Sequence, residues 1–541
     1  MSTTWAWVFA GACVVSAARA ELTVVTVSPP AGSMSAPTGA AISVTFDRAV
    51  DPATLNSQTF WAFGRQSGAM VGGLSLSNSD QTVTLAPSER MAAGEQVIVV
   101  LSHDLRAADG TYLRSSGFSW LFNTRVRPAA LQFTELQRFS TNIPAGASSR
   151  PYGGLLGNLD ADRWLDLVVV NEDTNDLRMF LNQASGTGSF GPMLLPTTPV
   201  GTVPSPSDSG DFNRDGLFDV CVSDRDSAQV SILLGNGDGT FAPAQNVTVG
   251  LSPLGIVAID VDGDGDLDIA VANRVSGNVM ILRNDGAGVF GSPTQFDAGV
   301  NQERALAAAD MNGDGLLDLI VGGISSQRIA VALSNGDGTF AVQSAVPCGG
   351  AVWGVGAADM DGDGNADVVA SNSSSNNFAV LFGDGAGGLS APVVYATDPF
   401  VLAVDMADFD GDGDVDVVSS SYGGEWRLYL NDGAGVLTFD QAFPATAASS
   451  CSIAADIDND RDPDLILVDE QADEIIVLSN SGVALPGDAD GDCDVDLADL
   501  SALLTEFGCS GWNCAADIDD DGDTDLADLS ALLTEFGAAC P

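Results

Sequence analysis

Short apolar runs broken by polar, glycine-bearing turns fill most of this chain, and a helical period appears near its C-terminus. Residues 22–27, 42–46, 82–85, 97–101 and 118–122 are apolar stretches between such turns, which predicts a β-sandwich over residues 21–126. From residue 127 to 484 the pattern becomes a repeat. A small-residue strand such as 305–309 leads into an acidic turn, then an apolar run such as 165–170, then a second strand such as 278–282 or 427–430. A Gly-rich turn closed by an aromatic follows (235–241, 284–290, 334–340), and then a weak outer strand such as 244–249 or 392–395. Four short strands per ~50 residues make a propeller blade, and small side chains suit its crowded inner strands.

The acidic turn recurs seven times at intervals of 48 to 53 residues. Its first position is Asn158, Asp211, Asp260, Asp310, Asp359, Asp408 and Asp456; its third is Asp160, Asn213, Asp262, Asn312, Asp361, Asp410 and Asp458. The fifth is Asp162, Asp215, Asp264, Asp314, Asp363, Asp412 and Asp460; the ninth is Asp166, Asp219, Asp268, Asp318, Asp367, Asp416 and Asp464. Alternate residues of a tight turn aim carboxylates at one centre, and position seven adds a backbone carbonyl. Ca²⁺ takes six to eight oxygens at about 2.3–2.6 Å. Position six is Gly216, Gly265, Gly315, Gly364 and Gly413 in the middle copies but Arg163 and Arg461 in the outer two. A residue held there at positive φ strains arginine, and copy one also starts with Asn158. Copies one and seven are therefore expected to bind Ca²⁺ more weakly, as neighbours in a closed ring. Closure itself is expected from residues 131–136, a strand-like segment that completes the seventh blade and removes exposed edges.

Residues 485–541 carry a different acidic pattern. Asp488, Asp490, Asp492, Asp494, Asp496 and Asp499 are repeated by Asp517, Asp519, Asp521, Asp523, Asp525 and Asp528. These occupy positions one, three, five, seven, nine and twelve of two half-EF-hand loops, with position seven contributing its backbone carbonyl. Each loop runs into an identical Leu-Ser-Ala-Leu-Leu-Thr-Glu-Phe-Gly. Leu500, Leu503, Leu504 and Phe507 lie on one helical face, and Gly508 stops the helix. About seven Ca²⁺ ions are expected in the array and two in this unit.

Net charge is −53, from 73 acids against 20 bases, which argues against nucleic acid as a partner. Residues 1–20 resemble a secretion signal, with an apolar run over 5–15 and Ala18-Arg19-Ala20 before Glu21, although no Lys or Arg precedes the run. No later stretch reaches the ~18 apolar residues of a membrane span, so a secreted, monomeric protein without a transmembrane segment is expected. Cys13 belongs to the signal. Cys221, Cys348 and Cys451 read as buried thiols, whereas Cys493, Cys509, Cys514 and Cys540 read as disulfide staples of a small domain, with three pairings open. His103 is the one histidine and reads as a solvent-facing or loop residue. A single histidine excludes His-Glu-x-x-His, no Gly-x-Ser-x-Gly elbow occurs, and residues 235–239 read as a β-turn rather than a phosphate loop. No catalytic or organic-cofactor residue stands out, and a non-enzyme is expected.

Ser28-Pro-Pro-Ala-Gly-Ser, Val44-Thr-Phe-Asp-Arg-Ala-Val-Asp-Pro and Phe118-Ser-Trp-Leu-Phe-Asn-Thr resemble the bacterial Ig-like domain of surface-layer and other exported proteins, implying a spacer or adhesion module. The acidic turn, second strand and Gly-aromatic turn in phase resemble FG-GAP or VCBS repeats, as in the integrin α headpiece. That resemblance implies a seven-bladed propeller with one Ca²⁺ per acidic turn on one face. The tandem half-EF-hand looks like a dockerin, which implies a cohesin-type partner. Its copies lie 29 residues apart, with Cys509-Ser-Gly-Trp-Asn-Cys514 inserted between them. Leu497-Ala498 and Leu526-Ala527 stand where partner-contacting residues would be. Because dockerins bring their chain ends together, the resemblance implies Cys493–Cys540 and Cys509–Cys514 disulfides. The mainly β chain thus reads as a secreted, calcium-binding adhesion or scaffold protein whose propeller takes a protein or glycan. The alternative is an extracellular polysaccharide-active hydrolase or lyase carrying a dockerin.

Overall fold

The computed structural model describes residues 21–142, 148–480, 495–509, 518 and 524–538. The signal-like segment lies outside the described residues. The N-terminal unit is a sandwich of two four-stranded antiparallel sheets. One sheet orders Val24–Ser28, Ile42–Phe46, Thr82–Pro87 and Gly72–Ser77; the other orders Gly68–Ala69, Phe60–Gly64, Gln96–Leu101 and Phe118–Asn123. Alternation places Ile42, Val44 and Phe46 inward against Phe60, Val97, Val99, Trp120 and Phe122. The second sheet is buried on both faces. Phe60 and Val99 face the sandwich, whereas Trp61, Phe63, Ile98 and Val100 pack with Phe218 and Leu267 of the repeat array. This explains the unbroken apolar run at 97–101, a pattern expected of strands covered on both sides.

The array is a closed ring of seven antiparallel sheets. Inner strands Pro151–Gly157, Pro204–Gly210, Pro253–Ile259, Glu303–Ala309, Val352–Ala358, Val401–Ala407 and Ser449–Ala455 lie side by side, the seventh beside the first. The second strand of each blade, such as Asp268–Asn273, is buried along its whole length. The seventh blade takes its outer strand from Thr134–Ser140, which pairs Phe139 with Ile475 and Gln137 with Val477. Chain closure is therefore as expected, shifted a few residues C-terminal of 131–136.

The Ig-like unit is docked on the ring and is not a free spacer, which corrects that expectation. It sits on the face that carries the acidic turns. Trp61 Nε1 donates to Gly265 O at 2.8 Å, His103 N to Gly263 O at 2.8 Å, and Ser119 N to Gly315 O at 2.9 Å. Arg65 reaches the central channel, donating to Ser209 O at 2.7 Å and Ala258 O at 2.9 Å and pairing with Asp208 at 3.1 Å. The linker continues the contact through Arg127 N to Arg461 O and Ala129 N to Asp410 O. Approach is closest at Gly263, where φ is +74° and a Cβ would lie 2.2 Å from the Ser116 carbonyl carbon. His103 lies in a turn, as one of the two readings had it, and is half-buried in this interface.

Two ten-residue helices, α1 (Leu497–Glu506) and α2 (Leu526–Glu535), form the last unit. Each has an Asp N-cap, Asp496 or Asp525, closed by a capping box from Asp499 or Asp528. The flanks exchange bonds in pairs: Gly537 N to Val495 O at 2.7 Å and Gly508 N to Thr524 O at 2.7 Å. Leu503 and Leu532 fill the core, but Leu504 and Phe507 are exposed, so the expected apolar face is only half buried. Cys221 and Cys348 are buried free thiols and Cys451 a half-buried one, while Cys509 is disulfide-bonded to a cysteine outside the described residues.

Candidate metal centres in the acidic turns

Each inner strand runs into an acidic turn that the chain itself pre-folds. The first-position carboxylate accepts the position-six N–H, at 3.0 Å for Asp260–Gly265 and 2.9 Å for Asp408–Gly413. The fifth accepts the position-seven N–H, at 3.0 Å for Asp264–Asp266. The ninth accepts two backbone bonds in every blade. In blade three Asp268 takes Val261 N at 3.1 Å and Asn284 N at 2.8 Å; in blade seven Asp464 takes Ile457 N at 3.0 Å and Asn480 N at 2.8 Å. Position nine thus clamps the turn to the end of the third strand. The position-six reading holds: Arg163 (φ +71°) and Arg461 (φ +76°) adopt the left-handed backbone of Gly265 (φ +94°). Position four shares it, at Ala161, Arg214 and Asn459 as well as at the glycines, and the sequence reading missed this.

Neighbouring blades seal each turn. Asn284 Nδ2 donates to Phe212 O of blade two at 2.7 Å, and Asn431 Nδ2 to Met360 O of blade five at 2.9 Å. The Gly-aromatic turn does the same from the other side, Gly338 N reaching Val261 O at 2.9 Å.

Carboxylates converge within 4.8 Å in four turns: Asp260/Asp262/Asp268, Asp359/Asp361/Asp367, Asp408/Asp410/Asp416 and Asp456/Asp458/Asp460. In blades two and four Asn213 and Asn312 stand at position three, and their amides donate to Asp215 at 2.8 Å and Asp314 at 3.1 Å. Blade one, with Asn158, shows no such group among the described residues. Blade seven does, although Arg461 stands at its position six. Its position seven is Asp462, buried to 1% exposure and not foreseen as a side-chain contributor. Burial, then Asp460 and Asp456, push it up to about 9. Burial likewise pushes Asp260 to about 8, Asp408 to about 7 and Asp416 to about 8, with neighbouring aspartates adding to it. Buried carboxylate oxygens without a partner remain at Asp262, Asp456, Asp458 and Asp462. An all-oxygen donor set with orphaned, mutually repelling carboxylates fits a hard divalent cation. Of the second acidic pattern, Asp496, Asp499, Asp525 and Asp528 act as helix caps; Asp488, Asp490, Asp492, Asp494, Asp517, Asp519, Asp521 and Asp523 lie outside the described residues.

A ring of seven blades with a cation-type turn at the end of every inner strand defines a repeat propeller. The FG-GAP-like repeat profile matches residues 158–222, 211–271, 260–321, 310–370, 359–419 and 408–467, and the chain belongs to that family. A bacterial Ig-like domain profile matches residues 18–124. Units of these two kinds are typical of extracellular or surface proteins, and among the described residues no helix is long and apolar enough to cross a membrane. No curated protein matches the chain. Similar solved structures include BBS1N in complex with ARL6DN (13% identity, 66% of this chain and 99% of that one, TM-score 0.47). Others are an Agrocybe aegerita lectin for non-reducing terminal N-acetylglucosamine (18%, 73% and 93%, 0.41) and virginiamycin B lyase from Staphylococcus aureus (11%, 64% and 99%, 0.43). At these scores the likenesses carry no argument.

Proposed function

We propose that this chain is a secreted, calcium-stabilised binding or scaffold protein without catalytic machinery. Its acidic turns would hold Ca²⁺, its propeller would present a protein or glycan ligand surface, and its C-terminal helical pair would attach to a cohesin-type partner. The observation that carries this reading is the docking of the Ig-like unit over the acidic turns. It commits that face to structure and leaves the opposite face, where the inner strands begin, for a ligand. Calcium would lock the turns whose backbone carbonyls receive the Ig-like unit, so one ion would stabilise both a blade and the interface. A glycan and protein array, run beside a polysaccharide-degradation screen, tests the reading. Specific binding without product formation is expected; release of unsaturated or reducing sugar ends would overturn the non-enzymatic assignment.

A further inference from the structure

We propose that the propeller face opposite the acidic turns binds a carboxylated sugar, such as a hexuronate unit of a polysaccharide, through Arg304, Arg274, Tyr152 and the ring of Phe400. The proposal deepens the binding reading above and rests on it. Tyr152 begins the inner strand of blade one, Arg304 that of blade four and Trp353 that of blade five. Blades one and four are not neighbours, so their side chains can meet only across the central axis. They do meet: Arg304 Nη2 donates to the Tyr152 hydroxyl at 2.7 Å, and Trp353 Nε1 donates to the same oxygen at 3.1 Å. Arg304 also lies flat on Trp353, 3.6 Å from the ring centroid.

This cluster is unusual in its charge. The chain has 20 basic residues against 73 acids, yet Arg304 is 5% exposed and no carboxylate among the described residues pairs with it. Burial lowers its affinity for a proton, the Tyr152 hydroxyl partly offsets this, and Arg274 and Arg225 lower it further. Its sequence neighbour Glu303 turns away toward Gly277 of blade three. Arg225 is satisfied by Glu172 at 3.4 Å, but Nε of Arg304 and Nε of Arg274 are both buried donors without an acceptor. With both hydroxyl lone pairs of Tyr152 taken by Arg304 and Trp353, its O–H proton is a third donor. Buried cations and donors without acceptors are costly, and an incoming carboxylate with adjacent hydroxyls supplies what they lack.

Aromatic rings select sugar over peptide. Phe400 is 41% exposed, holds a left-handed backbone at φ +64°, and is edge-on to Trp353 at 5.8 Å. Tyr422 backs it in parallel at 5.7 Å and 4°. A flat, solvent-facing ring braced from behind suits the C–H face of a pyranose, while the arginines take its carboxylate.

The test is calorimetric titration of the calcium-loaded full chain with a tetrameric hexuronate, its neutral hexose counterpart, a glutamate-rich peptide and acetate. The hexuronate is expected to bind at least tenfold more tightly than each of the others. Arg304→Gln and Phe400→Ala are each expected to weaken it fivefold or more, with Phe400→Ala keeping the wild-type melting curve because the ring is exposed. Equal binding of neutral sugar, peptide or acetate overturns the proposal, as does hexuronate binding that neither variant alters. A neutral glycan bound with no effect of either variant would leave the general binding reading standing and this site refuted; no ligand on any array would refute both.

Discussion

Removing the cation should make stability fall as pH rises, and the structure gives the sign and scale. Without metal, Asp260 titrates at about 8, Asp408 at about 7 and Asp416 at about 8, against 3.8 for the unfolded chain. Folded values above unfolded ones mean that the folded, metal-free protein holds more protons between about pH 4 and 8. Their stabilising effect is complete below pH 4 and is lost as pH rises through the folded values. At pH 7, about three pKa units above its unfolded value, keeping Asp260 protonated in the closed turn costs on the order of 4 kcal/mol. Opening of the turn relieves that cost, so the figure is an upper limit for this one carboxyl. Bound Ca²⁺ reverses the balance by stabilising the ionised carboxylates. Thermal melts at pH 5, 6, 7 and 8, in chelator and in millimolar Ca²⁺, measure this. The midpoint in chelator should fall with pH, and the gap to the calcium-loaded protein should widen from pH 5 to 8. Parallel curves in chelator and calcium would mean that metal binding and protonation do not compete in these turns.

Four further outcomes are expected. Asp264→Ala, in a turn with converging carboxylates, should lower the calcium-loaded melting midpoint more than Asp162→Ala in blade one, as scanning calorimetry of both variants reads directly. Asp268→Asn removes one of two buried acceptors for backbone N–H groups and should cost about 1–3 kcal/mol even in chelator; a loss confined to calcium conditions would assign position nine to metal alone. Gly263→Val forces a side chain into Ser116 at a left-handed position and should detach the Ig-like unit, seen as faster proteolysis of residues 127–133 with the propeller intact. Non-reducing peptide mapping should find Cys509 joined to Cys514; a Cys493–Cys509 peptide would contradict the pairing.

The blades were legible because their chemistry is local. An acidic turn, a strand covered on both faces and a Gly-aromatic turn each leave a short, repeated pattern, and segment 131–136, with no partner in its own unit, pointed to the closing strand found at 134–140. The left-handed position four was hidden by residue variety: Ala161, Arg214 and Asn459 fill it where glycine stands in the other blades. Asp462 was passed over because position seven offers only its carbonyl in the general pattern, and Trp164, Leu217 and Leu316 occupy the same place. Docking of the Ig-like unit is a contact between distant segments. Trp61 and Phe63 alternate with Phe60 and Ala62 in a strand that the sequence pattern did not single out, and nothing local says that their second face meets Phe218. The Arg304–Tyr152–Trp353 cluster is equally invisible, since its members come from three blades and meet at the axis.

If the acidic turns are calcium sites that hold the ring and its Ig-like unit together, crystals grown in Ca²⁺ carry ions inside them, and anomalous diffraction locates those ions. Peaks are expected inside the turns that begin at Asp211, Asp260, Asp310, Asp359, Asp408 and Asp456, with blade seven well occupied and blade one weakest. Turns closed by their own hydrogen bonds around no ion, with no anomalous density at saturating Ca²⁺, would contradict the calcium assignment.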